Sequence, residues 1–298
     1  MRRSLWGIMA AAAVIAVLIW SATPSTSVQA QGGAQPPAPG SFPRFTVPRM
    51  TDGHPNLNGI WQALVSANYN LEDHEAQAGP YTELMGAYSG EPAGQSVVEG
   101  GAIPYKPEAA AKRRQNFENR MKADLSNDER WHDLGDPEMK CYMPGVPRAN
   151  YMAHPFQIVQ GSSDAILFAY QFASSTRIVR MNFKDEAPGD FWMGWSRGRW
   201  EGDTLVIDVT GQRKETWFDR SGNYHSEALH VVERYTLVSP YHIMYEATIE
   251  DPNVYTRPWK ISFPLYRRME KGVQLLEYKC QPFTEKLLYE RFEKKGTN

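Results

Sequence analysis

Residues 228–250 read ALHVVERYTLVSPYHIMYEATIE and carry the strongest fold signal in the chain. Apolar and polar residues alternate through Ala228–Val238 and again through His242–Glu250, and Ser239-Pro240 between them is typical of a turn. Successive side chains of a strand point to opposite faces, so this period of two predicts an antiparallel hairpin. One face is apolar, and the other carries polar residues: His242, Glu246, Thr248 and Glu250. Whether this polar face meets water or lines a cavity is open at this stage.

Similar short runs of β-branched and aromatic residues lie on both sides of this hairpin, separated by turn residues such as Gly202-Asp203 and Lys271-Gly272. The pattern predicts further strands at Asn56–Val65, Phe156–Val159, Ala165–Phe172, Ser175–Met181, Leu205–Val209, Lys260–Tyr266 and Val273–Lys279. No alternation of strand and helix runs through this region. The prediction is therefore a mainly β chain, folded as an antiparallel barrel or sandwich.

Two segments have helical character. Pro107–Leu125 has proline at a first-turn position and Glu108 near the positive end of the helix dipole, which predicts one helix inserted into the β structure. Thr284–Lys294 begins with a residue suited to an N-cap and carries an apolar face, which predicts a C-terminal helix.

The beginning of the chain has the pattern of a secretory signal peptide. An apolar run from Leu5 to Trp20 follows two arginines, and small side chains at Val28 and Ala30 fit cleavage before Gln31. An uncleaved anchor is the alternative, but the run is shorter than the roughly 20 residues that span a bilayer. We therefore expect residues 1–30 to be removed and the protein to be periplasmic or secreted.

The next segment predicts a tether followed by a single domain. Residues 31–50 are rich in glycine, proline and alanine and poor in charge, a composition typical of a flexible linker. Residues 51–298 contain all the predicted strands, so we expect one β-rich domain there.

The two cysteines, Cys141 and Cys280, both lie in the part predicted to be exported. An oxidising compartment permits a bridge between them, and we expect a disulfide. Two buried free thiols are the alternative.

The composition of the chain excludes some partners. Lys and Arg together number 32 against 34 Asp and Glu, a formal net charge of −2, whereas a nucleic-acid-binding protein needs a basic surface. Hydrophobic residues make up 42% and aromatic residues 12%, enough for a sizeable core. We expect no nucleic-acid partner and, after signal cleavage, no membrane partner.

Asn58-Gly59-Ile60-Trp61, together with the late basic pair Arg267-Arg268, resembles the calycin and lipocalin-like barrels. Those barrels open with a Gly-x-Trp strand and place an arginine against its tryptophan, so the resemblance implies a closed barrel and the same contact here. The long segment between Leu71 and Lys140 departs from small lipocalins.

A second resemblance covers most of the predicted mature chain. Five segments carry it: GVPR at 145–148, PFQIV at 155–159, GWSRGRWEGDTL at 194–205, TWFDR at 216–220 and HSEALH at 225–230. They resemble a widespread group of exported bacterial proteins that has no assigned reaction. The resemblance implies export and a single domain, and it transfers no catalytic residue.

The densest polar cluster lies between Trp217 and Arg234. If Ser221-Gly222-Asn223 forms a turn, Asp219 and His225 can meet across it, and the carboxylate would orient the imidazole as a general base. A hydrogen-bonded surface hairpin is the alternative.

Further catalytic roles are assigned within the same cluster. His230 is the predicted acid and Glu233 a second orienting carboxylate, while Arg220 or Arg234 would stabilise negative charge on the substrate. Substrate binding is expected from aromatic side chains: Trp195, Trp200, Trp217 and Tyr245.

A metal site would use His225, Glu227, His230 and Glu233, but their spacing reproduces no His-Glu zinc motif, so we expect neither metal nor cofactor. Two functions are left. The first is an exported cofactor-independent acid/base enzyme, a lyase, hydratase or isomerase, acting on a small and partly apolar or aromatic substrate. The second is a non-catalytic periplasmic carrier barrel for a hydrophobic small molecule.

Overall fold

The computed structural model describes residues 45–79, 90–121, 135–161, 164–289 and 291. Every described residue belongs to one compact unit, Phe45–Asn298. The predicted signal peptide at 1–30 and residues 31–44 of the predicted linker lie outside the described residues.

The described residues form a closed barrel of nine strands. In chain order the strands are β1 (Gly59–Ala63), β2 (Phe156–Gln160), β3 (Ala165–Tyr170), β4 (Thr176–Met181), β5 (Trp195–Glu201), β6 (Thr204–Thr210), β7 (His230–Ser239), β8 (His242–Glu250) and β9 (Trp259–Arg267). Each strand pairs with the next along the chain, and β9 pairs with β1 to close the sheet. The predicted mainly β fold is confirmed, and of the two predicted forms, barrel or sandwich, the described residues form the barrel.

The sheet is mixed, which corrects the prediction of a wholly antiparallel one. β4 and β5 run parallel, with Val179 opposite Ser196 and Met181 opposite Gly198. Parallel neighbours require the chain to return to the same end of the sheet, and residues 182–194 make that return. β5 itself was missed because its inward positions hold Ser196 and Gly198, which lack the apolar alternation of a strand.

The predicted strand at Val273–Lys279 is wrong, because these described residues form no strand and Leu276 is 68% exposed. Since β9 already pairs with β1, the edge of β9 is not free for a strand that follows it in the chain.

The barrel interior receives the apolar face of the β7–β8 hairpin. Ile243, Ala247 and Ile249 are fully buried, whereas His242, Glu246, Thr248 and Glu250 on the other face are partly exposed. The polar face therefore meets water. The largest side chains that fill the interior are aromatic: Trp61, Phe156, Phe168, Tyr235 and Tyr245.

The Gly-x-Trp strand has the contact that the barrel resemblance implies. The guanidinium carbon of Arg267 lies 4.3 Å from the centre of the Trp61 ring, and its Nη1 donates to the carbonyl oxygen of Asn58 at 2.6 Å. Gly59 has a φ of 145°, and a Cβ there would lie 2.4 Å from Arg267 Nη1. Glycine is thus needed for this close approach.

The helices are short, and none in the described ranges is long and apolar enough to span a membrane. The inserted helix α1 runs over Pro107–Asn119, and the predicted continuation to Leu125 enters residues outside the described ranges. A second helix, α2, covers Thr284–Tyr289. The predicted extension of α2 to Lys294 falls on residues of which all but residue 291 are outside the described part, so the full C-terminal helix stays a prediction.

Both ends of the folded unit are anchored. Phe45 and Val47 pack against the core, and Arg49 forms an ion pair with Asp203, so the predicted flexible linker does not extend to residue 50. The predicted disulfide between Cys141 and Cys280 is present, with the two Cα atoms 5.6 Å apart. Such a bond is compatible with an extracellular location.

Candidate functional site

The predicted catalytic residues do not gather at one place. Asp219, Arg220 and His225 lie in the segment that joins β6 to β7, residues 211–229. Glu233 points into the barrel, whereas His230 and Arg234 lie on the opposite face of the same strand. The alternation of β7 explains this separation, because neighbouring residues of a strand face opposite sides.

Asp219 and His225 are not partners, which corrects the predicted base–carboxylate pair. The fully buried carboxylate of Asp219 accepts from the backbone N–H of Leu71 at 2.9 Å, and from the backbone and side-chain amides of Asn223 at 3.2 and 2.5 Å. Burial raises the pKa of Asp219 to about 6 although these donors favour the ionised form. Its contacts hold the turn at 221–223 against the loop at Leu71, a structural role.

His225 instead belongs to a chain of uncharged groups. Its Nδ1 lies 2.8 Å from the carbonyl oxygen of Ser226, an acceptor only, so Nδ1 carries the proton. Nε2 then bears the lone pair and accepts from the Thr216 hydroxyl at 2.7 Å. Thr216 Oγ1 in turn accepts from the side-chain amide of Gln212 at 3.0 Å. Burial lowers the pKa of His225, so the imidazole is neutral at neutral pH.

The backbone around Gly145 holds this chain in place. The N–H of Val146 donates to Gln212 Oε1 at 2.8 Å, which leaves the amide nitrogen of Gln212 directed at Thr216. Gly145 has a φ of 72°, and a Cβ at this position would lie 2.6 Å from Gln212 Nε2 and 2.9 Å from Thr216 Oγ1. Only glycine fits without displacing both groups.

His225 also lines an open cavity of about 540 Å³ between α1 and the segment at 211–229. Three lysines share its wall with His225: Lys112, Lys140 and Lys214. Two acidic side chains, Glu215 and Glu227, lie there as well, and Arg213 holds Glu215 at 2.6 Å and lowers its pKa. The aromatic part of the wall is Trp217 and Tyr224. The cavity is therefore polar, with a cationic majority.

Arg220 stabilises a buried ion-pair network rather than a reacting group. It binds Glu138 through Nε and Nη2 at 2.8 and 2.7 Å, and Arg148 binds the same carboxylate at 2.8 Å. Arg148 also pairs with Asp136 at 2.9 Å and is almost fully buried. Burial alone would raise the pKa of Glu138, but the two arginines lower it to about 2. This network joins the loops around Asn68, Glu138 and Arg220.

Glu233 is the centre of a second buried network, inside the barrel. It pairs with Arg177 of β4 and accepts from Asn150 at 2.9 Å, Tyr235 at 3.0 Å and Tyr245 at 2.8 Å. Burial raises the pKa of both tyrosines, so they are donors at neutral pH. The carboxylate therefore has partners on both oxygens and orients no histidine.

His230 and Arg234 lie on the outer surface of the barrel. His230 Nε2 is 2.9 Å from Asp208, whose hydrogen bond raises the pKa of His230. Arg234 pairs with Glu201 at 2.8 Å. Neither residue lines the cavity that His225 lines. The predictions of His230 as the acid and of Arg234 as the anion stabiliser are therefore wrong.

The four aromatic residues predicted to bind substrate separate as well. Trp217 lines the His225 cavity, whereas Trp195 lines a cavity of about 390 Å³ beside β4. Trp200 stacks on His54 at 4.9 Å beside a third cavity, and Tyr245 contacts Glu233 in the barrel interior.

The four residues of the metal alternative are equally dispersed. Glu233 is in the barrel interior and His230 on its outer face, so they cannot join His225 and Glu227 in one ligand set. Within the described ranges, no group of three or more His, Cys, Asp or Glu side chains comes together in a way that could hold a metal ion.

The residues that surround His225 were not predicted from the sequence. Thr216 directly precedes Trp217, where the predicted polar cluster begins, and lies nine positions before His225. A hairpin centred on Ser221-Gly222-Asn223 could therefore have indicated this contact. Lys112 and Gly145 come from distant segments and carry no local signal. Comparison of the chain with known family profiles, with curated proteins and with solved structures found no match in any of the three.

Proposed function

We propose that this protein is an exported acid/base enzyme that takes a proton from a small anionic substrate, with His225 as the base. One observation carries the proposal: a buried imidazole with its proton fixed on Nδ1 lies in the wall of an open, lysine-lined cavity. A base that is neutral near pH 7 is the form that general base catalysis requires.

Nε2 of His225 can be released for substrate without leaving a polar group unpaired. The Thr216 hydroxyl that now donates to Nε2 has a second acceptor, the carbonyl oxygen of Arg213, at 3.1 Å. A rotation of the hydroxyl toward that carbonyl leaves Nε2 with one longer contact, to the side-chain amide of Gln212 at 3.3 Å, which the substrate would displace. Gln212 continues to donate to Thr216 Oγ1, so the chain stays intact during the exchange.

The lysines indicate the substrate class. The three lysines of the wall outnumber Glu215 and Glu227, and Glu215 is already paired with Arg213, so the wall favours an anionic group such as a carboxylate. Its two aromatic side chains offer little surface to a large apolar body. The substrate we propose is therefore a small carboxylic acid with an adjacent carbonyl or hydroxyl-bearing carbon, more polar than the sequence predicted.

The proposed step is removal of a proton next to a carbonyl group. The C–H bond breaks, its electron pair moves into the carbon–carbon bond as the carbonyl oxygen becomes an enolate, and Nε2 of His225 receives the proton. A lysine ammonium stabilises the enolate oxygen. Return of the proton to another atom would give an isomerase. If the enolate instead re-forms the carbonyl and breaks the C–O bond of a hydroxyl group one carbon further on, the proton on His225 leaves with that group as water, and the reaction is that of a lyase or hydratase.

The carrier alternative requires an apolar cavity. The barrel interior, where carriers of this shape hold a ligand, is filled by fully buried aromatic side chains, Trp61, Phe168 and Tyr235 among them. This packing favours the enzyme over a carrier that binds inside the barrel.

Hydrogen exchange tests the proton abstraction without knowledge of the final product. The protein is incubated in D₂O with a panel of small oxo- and hydroxy-carboxylates, and loss of each C–H signal is followed by proton NMR. Wild type should accelerate exchange for at least one compound, and His225→Ala should lower that rate by about 2 to 4 powers of ten. His242→Ala, a histidine of the outer face, is the matched control and should exchange as wild type does.

Two results would contradict the proposal. If no compound in the panel exchanges faster with wild type than with buffer alone, His225 is not a base toward this class. If His225→Ala exchanges the active compound at the wild-type rate, the base lies elsewhere.

A further inference from the structure

The barrel wall has a gap between the two parallel strands. β4 begins at Thr176, but its pairing with β5 begins only at Val179, opposite Ser196, and covers three residue pairs. Thr176–Ile178 therefore has no strand partner on this side. A cavity of about 390 Å³ lies at the gap, bounded by this half of β4, by Met143 and by the segment 191–196.

The walls of the cavity are apolar and unusually exposed. Ile178 is 60% exposed, Phe191 41% and Met143 37%. Phe191 stacks on Trp195 with ring centres 5.8 Å apart. A cavity with apolar and aromatic side chains and a few polar groups in its wall is the usual form of a small-molecule site.

The charges at the gap are positive. Arg177 and Arg180 line the cavity, and its described lining residues include no acidic side chain, although Glu233 behind Arg177 balances the charge of that guanidinium. Arg180 lies over the Trp195 ring at 5.4 Å and extends the aromatic surface with a cation.

Arg177 has hydrogen-bonding capacity to spare. Its Nη2 pairs with Glu233 and its Nε donates to Ser196 Oγ at 2.7 Å, whereas the buried Nη1 makes no hydrogen bond of good geometry among the described residues, although the Tyr170 hydroxyl lies close to the guanidinium. Ser196, like Arg177, lines the cavity. A buried N–H without an acceptor is costly, and a ligand oxygen that reached it would remove that cost.

We propose that this gap is a second binding site, distinct from the His225 cavity, for a small molecule with an aromatic or aliphatic body and a single carboxylate. The body packs against Phe191, Trp195 and Ile178, and the carboxylate lies beside Arg180, on the same outer face of β4 as Ile178, and reaches inward through the gap to Arg177 Nη1. The site rests on different residues from the proposed catalytic cavity, so each can fail alone.

Binding of 2-naphthoate, an apolar aromatic carboxylate, tests the site. The indole N–H signal of Trp195, assigned with Trp195→Phe, is followed by NMR during titration of the full chain. We expect a saturable shift, and at least tenfold weaker binding of 2-naphthalenemethanol, which has the same rings but no charge. His225→Ala should bind 2-naphthoate as wild type does, which separates this site from the proposed catalytic one.

Because Arg177 is part of the buried pair with Glu233, its replacement can unfold the protein, and the variant of choice is Ile178→Trp. This exposed side chain fills the cavity without touching the ion pair, and binding should fall by tenfold or more. Trp200→Phe is the matched control: Trp200 lines a different cavity, so this variant should bind 2-naphthoate with wild-type affinity. The proposal is overturned if wild type does not shift the Trp195 signal, if the alcohol binds as tightly as the acid, or if Ile178→Trp retains wild-type affinity.

Discussion

Replacing Glu233 by Gln isolates the cost of one unpaired charge in the barrel interior. Glutamine keeps the length and shape of the side chain, and its oxygen can still accept from Asn150, Tyr235 and Tyr245. Its amide nitrogen, however, replaces the oxygen that pairs with Arg177 and brings donor against donor. Arg177, with a side chain only 1% exposed, then has no counter-charge.

The expected loss is about 3 to 5 kcal/mol of unfolding free energy, the usual result of removing one partner from a buried pair. Arg177 would retain the Ser196 hydroxyl and the face of Phe168, 5.4 Å away, and neither compensates a full charge. The double variant Arg177→Met/Glu233→Gln removes both charges, and the methionine side chain occupies the space of the apolar part of the arginine. It should recover about 2 kcal/mol or more of the loss.

Urea unfolding at pH 7, followed by tryptophan fluorescence with the disulfide intact, measures these differences. Glu201→Gln is the matched control, because Glu201 also pairs with arginines, Arg199 and Arg234, but on the exposed surface. It should unfold at the wild-type urea midpoint. The reasoning is refuted if Glu233→Gln costs less than about 1 kcal/mol, or if the double variant is as unstable as the sum of its single variants.

Four further predictions follow from other parts of the molecule. Burial lowers the pKa of His225, so the rate of substrate hydrogen exchange should rise with pH through a pKa below 6.5 and be constant at neutral pH; a rate that falls over that range would exclude His225 as the base. Replacing both Cys141 and Cys280 by Ser opens a loop of 139 residues and should lower the free energy of unfolding by roughly 4 to 5 kcal/mol, measured by urea denaturation against wild type. The pKa of Asp219 is raised to about 6 in the folded state, so the protonated carboxyl stabilises the fold at low pH. As pH rises from about 4 to above 6, the free energy of unfolding of wild type should fall by on the order of 3 kcal/mol relative to that of Asp219→Asn. Unfolding free energies that change in parallel with pH in the two proteins would contradict this. Intact-mass measurement of periplasmic protein should give a chain that begins at Gln31, whereas a mass that retains residues 1–30 would indicate an anchor.

The strands of the barrel were predictable where apolar and polar residues alternate, because the period of two follows from backbone geometry alone. β7 and β8 are of this kind. β5 could not be recognised as a strand from the sequence, because its inward residues, Ser196 and Gly198, are small rather than apolar. Small residues are needed there because the side chains of β4 lie close to β5, and that contact is made only when the barrel folds. The disulfide was predictable by count, since only two cysteines exist.

The candidate catalytic site could be predicted from the sequence only in part. Sequence proximity suggested that Asp219, His225, His230 and Glu233 act together, and His225 does line a cavity. Folding separates the others, however, because a strand turns adjacent residues to opposite faces, so that Glu233 meets Arg177, 56 positions away. Asp219 likewise binds Leu71, 148 positions away. The sequence by itself determined which residue types were available, but their partners were decided by tertiary structure, because buried charges and polar groups must find partners wherever the packed chain brings them.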